Sequence, residues 1–312
     1  MEHDSRIYVA GHRGLVGSAI LRALENMGYK NLIYRTSAEL DLRERDQVQR
    51  FFNAQAIDYV FLAAAKVGGI VANNDYPADF IRDNLLIQTN VIDSAYRAGV
   101  KKLMFLGSTC IYPKFAPQPL NEESLLTGDL EPTNKPYAIA KIAGINMCQS
   151  YNRQYGTRFI SVMPTNMYGP NDNFDLKTSH VLPALIRKFH EAKESGAEFV
   201  EVWGTGEPRR EFLHSDDLAE ACLFLMEHYE DSDIINVGVG EDISIKNLAE
   251  LIKRIVGYEG ELRFNHAIAD GTPRKLVDVS RINRLGWQAK IPLEEGIKEA
   301  YLSFQKEFLT TI

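Results

Sequence analysis

Cysteine is scarce in this chain, and the scarcity excludes two architectures at once. Cys110, Cys148 and Cys222 are an odd set with no Cys-x-x-Cys spacing, so they supply neither a disulfide framework nor a structural zinc site. No metal site is expected. Long apolar runs are also missing: nothing approaches the roughly 20 apolar residues that a membrane helix needs. Met1-Glu2-His3-Asp4-Ser5-Arg6 leads into a strand-like run without an apolar signal segment, which predicts a cytoplasmic protein. There is no basic excess either. A net charge of −7 gives no electrostatic reason for nucleic-acid binding, although a local basic pocket for a phosphorylated ligand is compatible with it. Internal repeats and low-complexity tracts do not occur.

The 312 residues, 45% of them apolar and 25% charged, can bury a sizeable core in one large domain or two smaller ones. Residues 6–10, 31–35, 58–64 and 102–107 read as strands, separated by amphipathic stretches such as 15–27 and 78–98. A further helix is expected at 137–155 and a strand at 159–163. This βαβ series predicts an α/β fold of the Rossmann type, a doubly wound parallel sheet with ligands at the carboxyl ends of its strands. After Gly169 the pattern loosens. We expect residues 1–170 to form the dinucleotide-binding domain and 171–312 mainly a smaller substrate lobe. Residues 198–203 and 234–237 are candidates to return to the first sheet. Ser244 is placed to cap a helix over 245–256, with Gly257 as its stop.

Gly11-His12-Arg13-Gly14-Leu15-Val16-Gly17 lies between the first strand and an amphipathic helix. Glycines there let a backbone turn pass close to a pyrophosphate at the helix N-terminus. The spacing is not that of GxGxxG. Where an NAD-selective site offers an acid to the ribose, this chain has Tyr34-Arg35-Thr36-Ser37, so Arg13 and Arg35 favour a 2′-phosphate and NADP(H). Asp41-Leu42 stands beside the adenine or serves as a cap. Tyr137 and Lys141, four residues apart, share one helix face, and an ammonium there would bring a phenol of pKa about 10 into catalytic range. Ser108, closing the strand at 102–107, can hold the same carbonyl oxygen. Cys110 would point into the cleft with Ser108 if the strand stays extended. Otherwise it is a small buried residue. His180 either faces the cleft or ends a loop. Trp203, Gly204, Gly206, Arg209 and Arg210 suit a base and a diphosphate; otherwise Trp203 is core and the arginines pair with Glu211 or Asp216. Lys188, Asp270, Arg274 and Lys275 are further candidates.

These residues resemble the extended short-chain dehydrogenase/reductases acting on nucleotide sugars. The likeness is carried by Ala64-Ala65-Lys66-Val67-Gly68-Gly69-Ile70, Gly107-Ser108-Thr109-Cys110-Ile111-Tyr112-Pro113, Glu131-Pro132-Thr133-Asn134-Lys135-Pro136-Tyr137, Pro164-Thr165-Asn166-Met167-Tyr168-Gly169-Pro170 and Asp270-Gly271-Thr272-Pro273-Arg274-Lys275. The strings are those of the family's epimerase-reductases and run nearly end to end. The resemblance implies 3,5-epimerisation of GDP-4-keto-6-deoxy-D-mannose and NADPH-dependent reduction at C4 to GDP-L-fucose, by a homodimer joined through the helices at 78–98 and 137–155. Gly11 to Gly17, Leu106, Gly107, Ser108, Thr109, Lys141, Pro164, Thr165, Asn166 and Met167 match the family's NADP contacts, with Tyr137 and His180 beside them. Lys188, Trp203, Arg210 and Asp270 match its contacts to the GDP-sugar. Ser108, Cys110, Tyr137 and His180 match its catalytic group, with Cys110 as base and His180 as acid. One departure is Ser37, where some relatives carry a basic residue. A 4-epimerase or 4,6-dehydratase of the same fold is the alternative; the dehydratases carry an acidic pair where this chain has Thr109-Cys110. A non-catalytic dinucleotide-sensing protein is the remote one, and such proteins usually lose the Tyr or Lys.

Overall fold

Short β-branched and aromatic runs, too brief for helices, build a parallel sheet. In the computed structural model, which describes residues 1–268 and 270–310 with side chains as far as residue 306, these runs alternate with helices. The strands are β1 (Ile7–Ala10), β2 (Leu32–Ile33), β3 (Tyr59–Leu62), β4 (Lys102–Leu106) and β5 (Phe159–Pro164); the helices are α1 (Leu15–Asn26), α2 (Arg45–Gln55), α3 (Ile70–Asp75), α4 (Pro77–Arg97) and α5 (Lys135–Tyr155). There follow β6 (Asn166–Tyr168), α6 (Val181–Ser195), β7 (Phe199–Trp203), β8 (Arg209–Arg210), β9 (Phe212–His214) and α7 (Ser215–His228). The chain continues through β10 (Ile235–Val237), β11 (Ile243–Ser244), α8 (Ile245–Val256), β12 (Glu261–Asn265), β13 (Arg274–Lys275), α9 (Ser280–Leu285) and α10 (Leu293–Thr310). Residues 311 and 312 of the expected second lobe lie outside the described residues.

The main sheet runs β10-β5-β4-β3-β1-β2, with every pairing parallel. Strand order reverses between β1 and β3, so a crevice opens outside their carboxyl ends, where ligands bind in such folds. Period-2 alternation divides the strand residues between two faces. Ile7 and Val9 join one core with residues of α1 and α7, while Tyr8 and Ala10 join another with residues of α2, α4 and α5. A third core is drawn from α6, β7, α8 and α10. Of the two segments expected to return to the first sheet, Ile235–Val237 does so beside β5. The other does not: Phe199–Trp203 pairs with Glu261–Asn265 in a separate two-stranded sheet. Its alternating exposed and buried residues suit a sheet with one wet face rather than a central strand. Ser244 caps α8 by accepting from the Asn247 N–H (3.1 Å), and Gly257 stops it in the left-handed conformation.

Helices α4 and α5 pack closely because α5 carries Gly144 at the contact. A methyl group there would press into the Phe105 ring and lie 3.0 Å from Gln88 Oε1, and Gln88 Nε2 donates to the Ala140 carbonyl at 2.7 Å. Glycine inside a helix is normally a cost, so close approach is what it supplies. Gly144→Ala should therefore destabilise the protein by about 1–3 kcal/mol despite its better helix propensity. Urea unfolding followed by circular dichroism measures this; equal or greater stability would mean that Phe105 and Gln88 yield without penalty.

Candidate active site

The glycine turn after β1 has room for backbone alone. Gly11 adopts φ +85°, and a Cβ on it would stand 2.8 Å from Ala64 N and Cα; a Cβ on Gly17 would overlap the Gly11 carbonyl oxygen. Gly14 is the N-cap of α1 but offers no side-chain cap, and the first turn holds no acidic residue. The N–H groups of that turn and the positive end of the helix dipole thus face the crevice unneutralised, a set suited to a pyrophosphate. The residues present therefore fit a dinucleotide. Beside the turn, His12 lies 4.6 Å from the Tyr34 ring, with its Nδ1 buried and unpaired. Arg13 and Arg35 are both exposed, Arg35 donating to the Tyr34 carbonyl (2.7 Å) and lying 5.7 Å over the Phe51 ring. Ser37 is exposed, and Glu39 accepts from the Thr36 N–H and hydroxyl (both 2.8 Å) while facing Arg13 and Arg35. Asp41 is not a helix cap: it pairs with Arg43 at 2.7 Å, and Glu44 holds the N-cap position of α2. Leu42 presents its carbonyl to Asn90 (2.9 Å).

On the opposite wall β4 ends at Leu106 and turns. The expected extended run through Cys110 does not form: Thr109–Ile111 is a single 3-10 turn, capped by Ser108 Oγ, which accepts from the Cys110 N–H at 3.4 Å. The turn still brings the two side chains together. The Ser108 hydroxyl influences both the Tyr137 phenol and the Cys110 thiol, and the Cys110 charge is felt by Tyr137 and Lys141. Lys141 is 4% exposed, donates to the Leu106 carbonyl at 2.7 Å and stands 5.7 Å from the Tyr137 ring centre. Gly107 must be small, since a Cβ would run into Met163. Thr165 N–H donates to the Val237 carbonyl (3.0 Å) and Asn166 Nδ2 to the Glu211 carbonyl (2.8 Å), so β10 and β9 fix the 164–167 segment; Pro164 closes β5 and Met167 pairs with Leu213.

Desolvation dominates the electrostatics here. Burial lowers the Lys141 pKa to about 8. The same burial, with the Cys110 charge, pushes Tyr137 far up rather than down, against the Ser108 hydrogen bond. This corrects the sequence expectation of a phenol made acidic by its lysine; the Lys141 ammonium is turned to Leu106. Burial also raises the Cys110 thiol, with Lys275 the foremost opposing influence, then Ser108 and Lys141. His180, the N-cap residue of α6, is solvent-accessible yet crowded by surrounding protein, and that desolvation, followed by Lys275, lowers its pKa.

The substrate candidates lie farther along the cleft. Lys188 stands 4.9 Å above the Trp203 ring and donates to the Glu201 carbonyl (3.0 Å); Trp203 is 48% exposed and so not core. Asp270 binds the Thr205 N–H (2.9 Å) and hydroxyl (2.6 Å), holding the Gly204–Gly206 turn, and faces Arg210. The arginines do not pair with Glu211 or Asp216. Arg209 and Arg274 share Asp242, Arg210 donates to the Arg209 carbonyl (2.7 Å), and Asp216 pairs with Arg22 (2.6 Å). Sequence reading missed Glu131, which pairs with Lys114 (2.8 Å) and faces Lys275 and Arg210, and it missed Glu211, a buried clasp. Only the unusual placing of an acid before the strand Phe212–His214 hinted at the second.

The profile of the NAD dependent epimerase/dehydratase family matches residues 7–238. The chain belongs to that family. It is 61% identical over 301 residues to the probable GDP-L-fucose synthase 1 of Oryza sativa subsp. japonica, covering 96% of this chain and 92% of that one. A GDP-6-OMe-4-keto-L-xylo-heptose reductase from C. jejuni superposes with a TM-score of 0.95 at 42% identity, covering 98% of this chain and 99% of the other. A GDP-L-fucose synthetase from Naegleria fowleri bound to NADP superposes at 0.92 with 33% identity, covering 99% and 95%. For the family's dinucleotide, Gly17→Ala should raise the NADPH dissociation constant at least about tenfold, about 1.4 kcal/mol, in a fluorescence titration of protein whose circular dichroism is unchanged. Unaltered affinity would remove the close backbone turn from cofactor binding.

Proposed function

We propose that the chain inverts C3 and C5 of GDP-4-keto-6-deoxy-D-mannose and reduces C4 to give GDP-L-fucose, with NADP(H) as cofactor. The reading rests on one observation: Cys110, a side chain able to act as a carbon base, sits on the turn capped by Ser108 within the influence of Tyr137 and the buried Lys141, and Lys275 influences both Cys110 and His180. A simple reductase needs only the first group of residues. The overall likeness to GDP-L-fucose synthases supports the choice of sugar.

A 4-keto group acidifies the hydrogens on C3 and C5. Cys110, as thiolate, takes one of them: the C–H bond breaks, S–H forms, and the electron pair moves onto the ketone oxygen as an enolate. His180 returns a proton from the other ring face, its N–H breaking as the new C–H forms. Solvent exchange then resets both groups for the second centre. NADPH, when bound, supplies the hydride for C4. Tyr137, kept protonated by burial and by Cys110, gives its proton to the C4 oxygen, which Ser108 also holds. Lys141 binds the nicotinamide ribose from its place on the Leu106 carbonyl. Gly11 to Gly17 and the 106–109 and 164–167 segments line the dinucleotide; Arg13, with Arg35, meets the 2′-phosphate, and Asp41 and Leu42 border the adenine. Lys188, Trp203, Arg210 and Asp270 hold the GDP. Residues 1–170 serve as cofactor lobe and 171–312 as substrate lobe, the third core lying almost wholly in the latter.

A homodimer through α4 and α5 accounts for the exposure of Leu86 and Ile139 on those helices. Among the described residues no helix is long and apolar enough to cross a membrane, which accords with a cytoplasmic place. A second reading, reduction of a different GDP-4-keto sugar without inversion, is favoured by the likeness to the C. jejuni heptose reductase.

Deuterated water separates the two readings. With GDP-4-keto-6-deoxymannose and NADPH, product from the unmodified enzyme should carry deuterium at C3 and C5, and product from Cys110→Ser should carry almost none, because a hydroxyl hardly ionises near neutral pH. Unlabelled product from the unmodified enzyme would favour the simple reductase. The pH profile tests Lys141. Its folded pKa lies near 8, below the ordinary 10.4, so it is charged below pH 8 and loses the charge above. The C4 reduction should therefore fall as pH rises through about 8, and Lys141→Arg, charged throughout, should flatten that limb. An alkaline limb beginning only near pH 10 would sink the assignment.

A further inference from the structure

One strap of chain, residues 66–76 between β3 and α4, lies between the two proposed proton donors and touches the surroundings of both. Buried Asn84 anchors its start: Asn84 Oδ1 accepts from the Lys66 N–H (3.0 Å) and Nδ2 donates to the Lys66 carbonyl (2.9 Å). Buried Asn73 anchors its middle, Nδ2 donating to the carbonyls of Gly68 (2.7 Å) and Gly69 (3.0 Å). Between these anchors the strap reaches the chain ahead of α6, where Gly69 N–H donates to the Thr178 carbonyl at 2.8 Å. Thr178 stands two residues before His180. On its other side the strap meets Tyr137 through one ring: a Cβ on Gly68 would lie 3.1 Å from Phe80 Cζ, and Phe80 meets Tyr137 edge to face with ring centres 6.3 Å apart. Helix α3, the later part of the strap, also packs on the turn Pro132–Asn134 that leads into α5.

The crossing to Thr178 accounts for glycine at position 69. Its φ of −66° and ψ of −179° are open to any residue, so no left-handed turn requires it. A Cβ there would instead stand 2.5 Å from the Ser179 carbonyl oxygen. Glycine gives α3 no side-chain cap and costs backbone entropy, so close approach is what it supplies.

We infer that Gly69 is a positioning residue: its bond to Thr178 holds the segment that carries His180 in fixed relation to Tyr137, so that the acid for inversion and the donor for reduction address one sugar from settled places. The inference rests on the reading of His180 as the epimerisation acid. His180 is exposed and its side chain makes no capping bond to α6, so the backbone on either side of it decides where it stands. On the helix side its carbonyl accepts from the Ala184 N–H (3.1 Å); on the other side stands the strap. Placement matters for proton return, since a displacement of about 1 Å can cost about a hundredfold in rate. Enolate formation belongs to Cys110, on the turn after β4, and does not pass through Gly69.

Gly69→Ala in the full-length protein is the test, because alanine suits the backbone angles but not the gap. Without any ligand, deuterium uptake by the amides of residues 66–76 and 176–184, followed by mass spectrometry of their peptides, should speed up about tenfold in both segments together. Acceleration confined to the first segment would show that the strap does not hold the second, and would overturn the inference. With GDP-4-keto-6-deoxymannose and NADPH in deuterated water, label should still enter C3 and C5 within about twofold of the normal rate, while inverted product per exchange event falls at least about tenfold. His180→Gln should give the same pattern, and Gly69→Ala should add nothing to it, as for two changes acting on one step. Asn73→Asp, which keeps the shape but loses both donated bonds, should shift the same ratio in the same direction and serves as the second variant should alanine disturb folding. Normal inversion per exchange event in folded Gly69→Ala, or a further loss when it is added to His180→Gln, would overturn the inference. Unlabelled product from the unmodified enzyme would instead overturn the reading of His180, and the ligand-free uptake would still decide whether the strap holds its segment.

Discussion

The carboxylate of Glu211 is the joint on which the cleft depends. It is wholly buried and accepts from three backbone N–H groups, those of Val239 (2.6 Å), Gly240 (2.7 Å) and Val277 (3.0 Å). Burial pushes its pKa up while the amides pull it back. Neither side is stable alone: a buried carboxylate without donors costs several kcal/mol, and so do orphaned amides. Gly238 is small for the same reason, since a Cβ would meet this carboxylate. Through its own backbone Glu211 binds the Lys275 carbonyl and the Asn166 side chain. One residue thus joins the end of the parallel sheet to the strands that carry Arg210 and Lys275.

The cleft holds one buried cation, Lys141, and three half-buried ones, Lys188, Arg210 and Lys275. Burial lowers the pKa values of Lys141, Lys188, Arg210 and Lys275. Such groups gain most when an anion arrives, because the anion restores what desolvation removed. A diphosphate, an enolate and a thiolate are three such anions. The net charge of −7 gives no sign of this, since a net charge does not say which charged groups share the cleft. The same desolvation keeps Tyr137 protonated, which suits a proton donor better than a phenolate would.

Local chemistry was legible in the residues. The glycine turn, the strand-helix alternation, the Tyr137 and Lys141 pair and the Ser244 and Gly257 caps each depend on neighbours within a few positions, where sterics and hydrogen bonding act without the rest of the chain. One departure came where distant segments compete. Residues 199–203 pair with β12 rather than with the main sheet; the 3-10 turn at Cys110 is a local departure, made by the Ser108 cap.

The sequence by itself determined the fold class and the chemical kinds of side chain proposed to react, because periodicity and residue chemistry are properties of short stretches. Only the tertiary structure decided how those groups are charged. Lys275 lies 165 positions beyond Cys110 in the numbering and 95 beyond His180, yet its charge acts on both. Electrostatic coupling depends on distance in space and on the water excluded between charges, and neither is written in the spacing of residues along a chain.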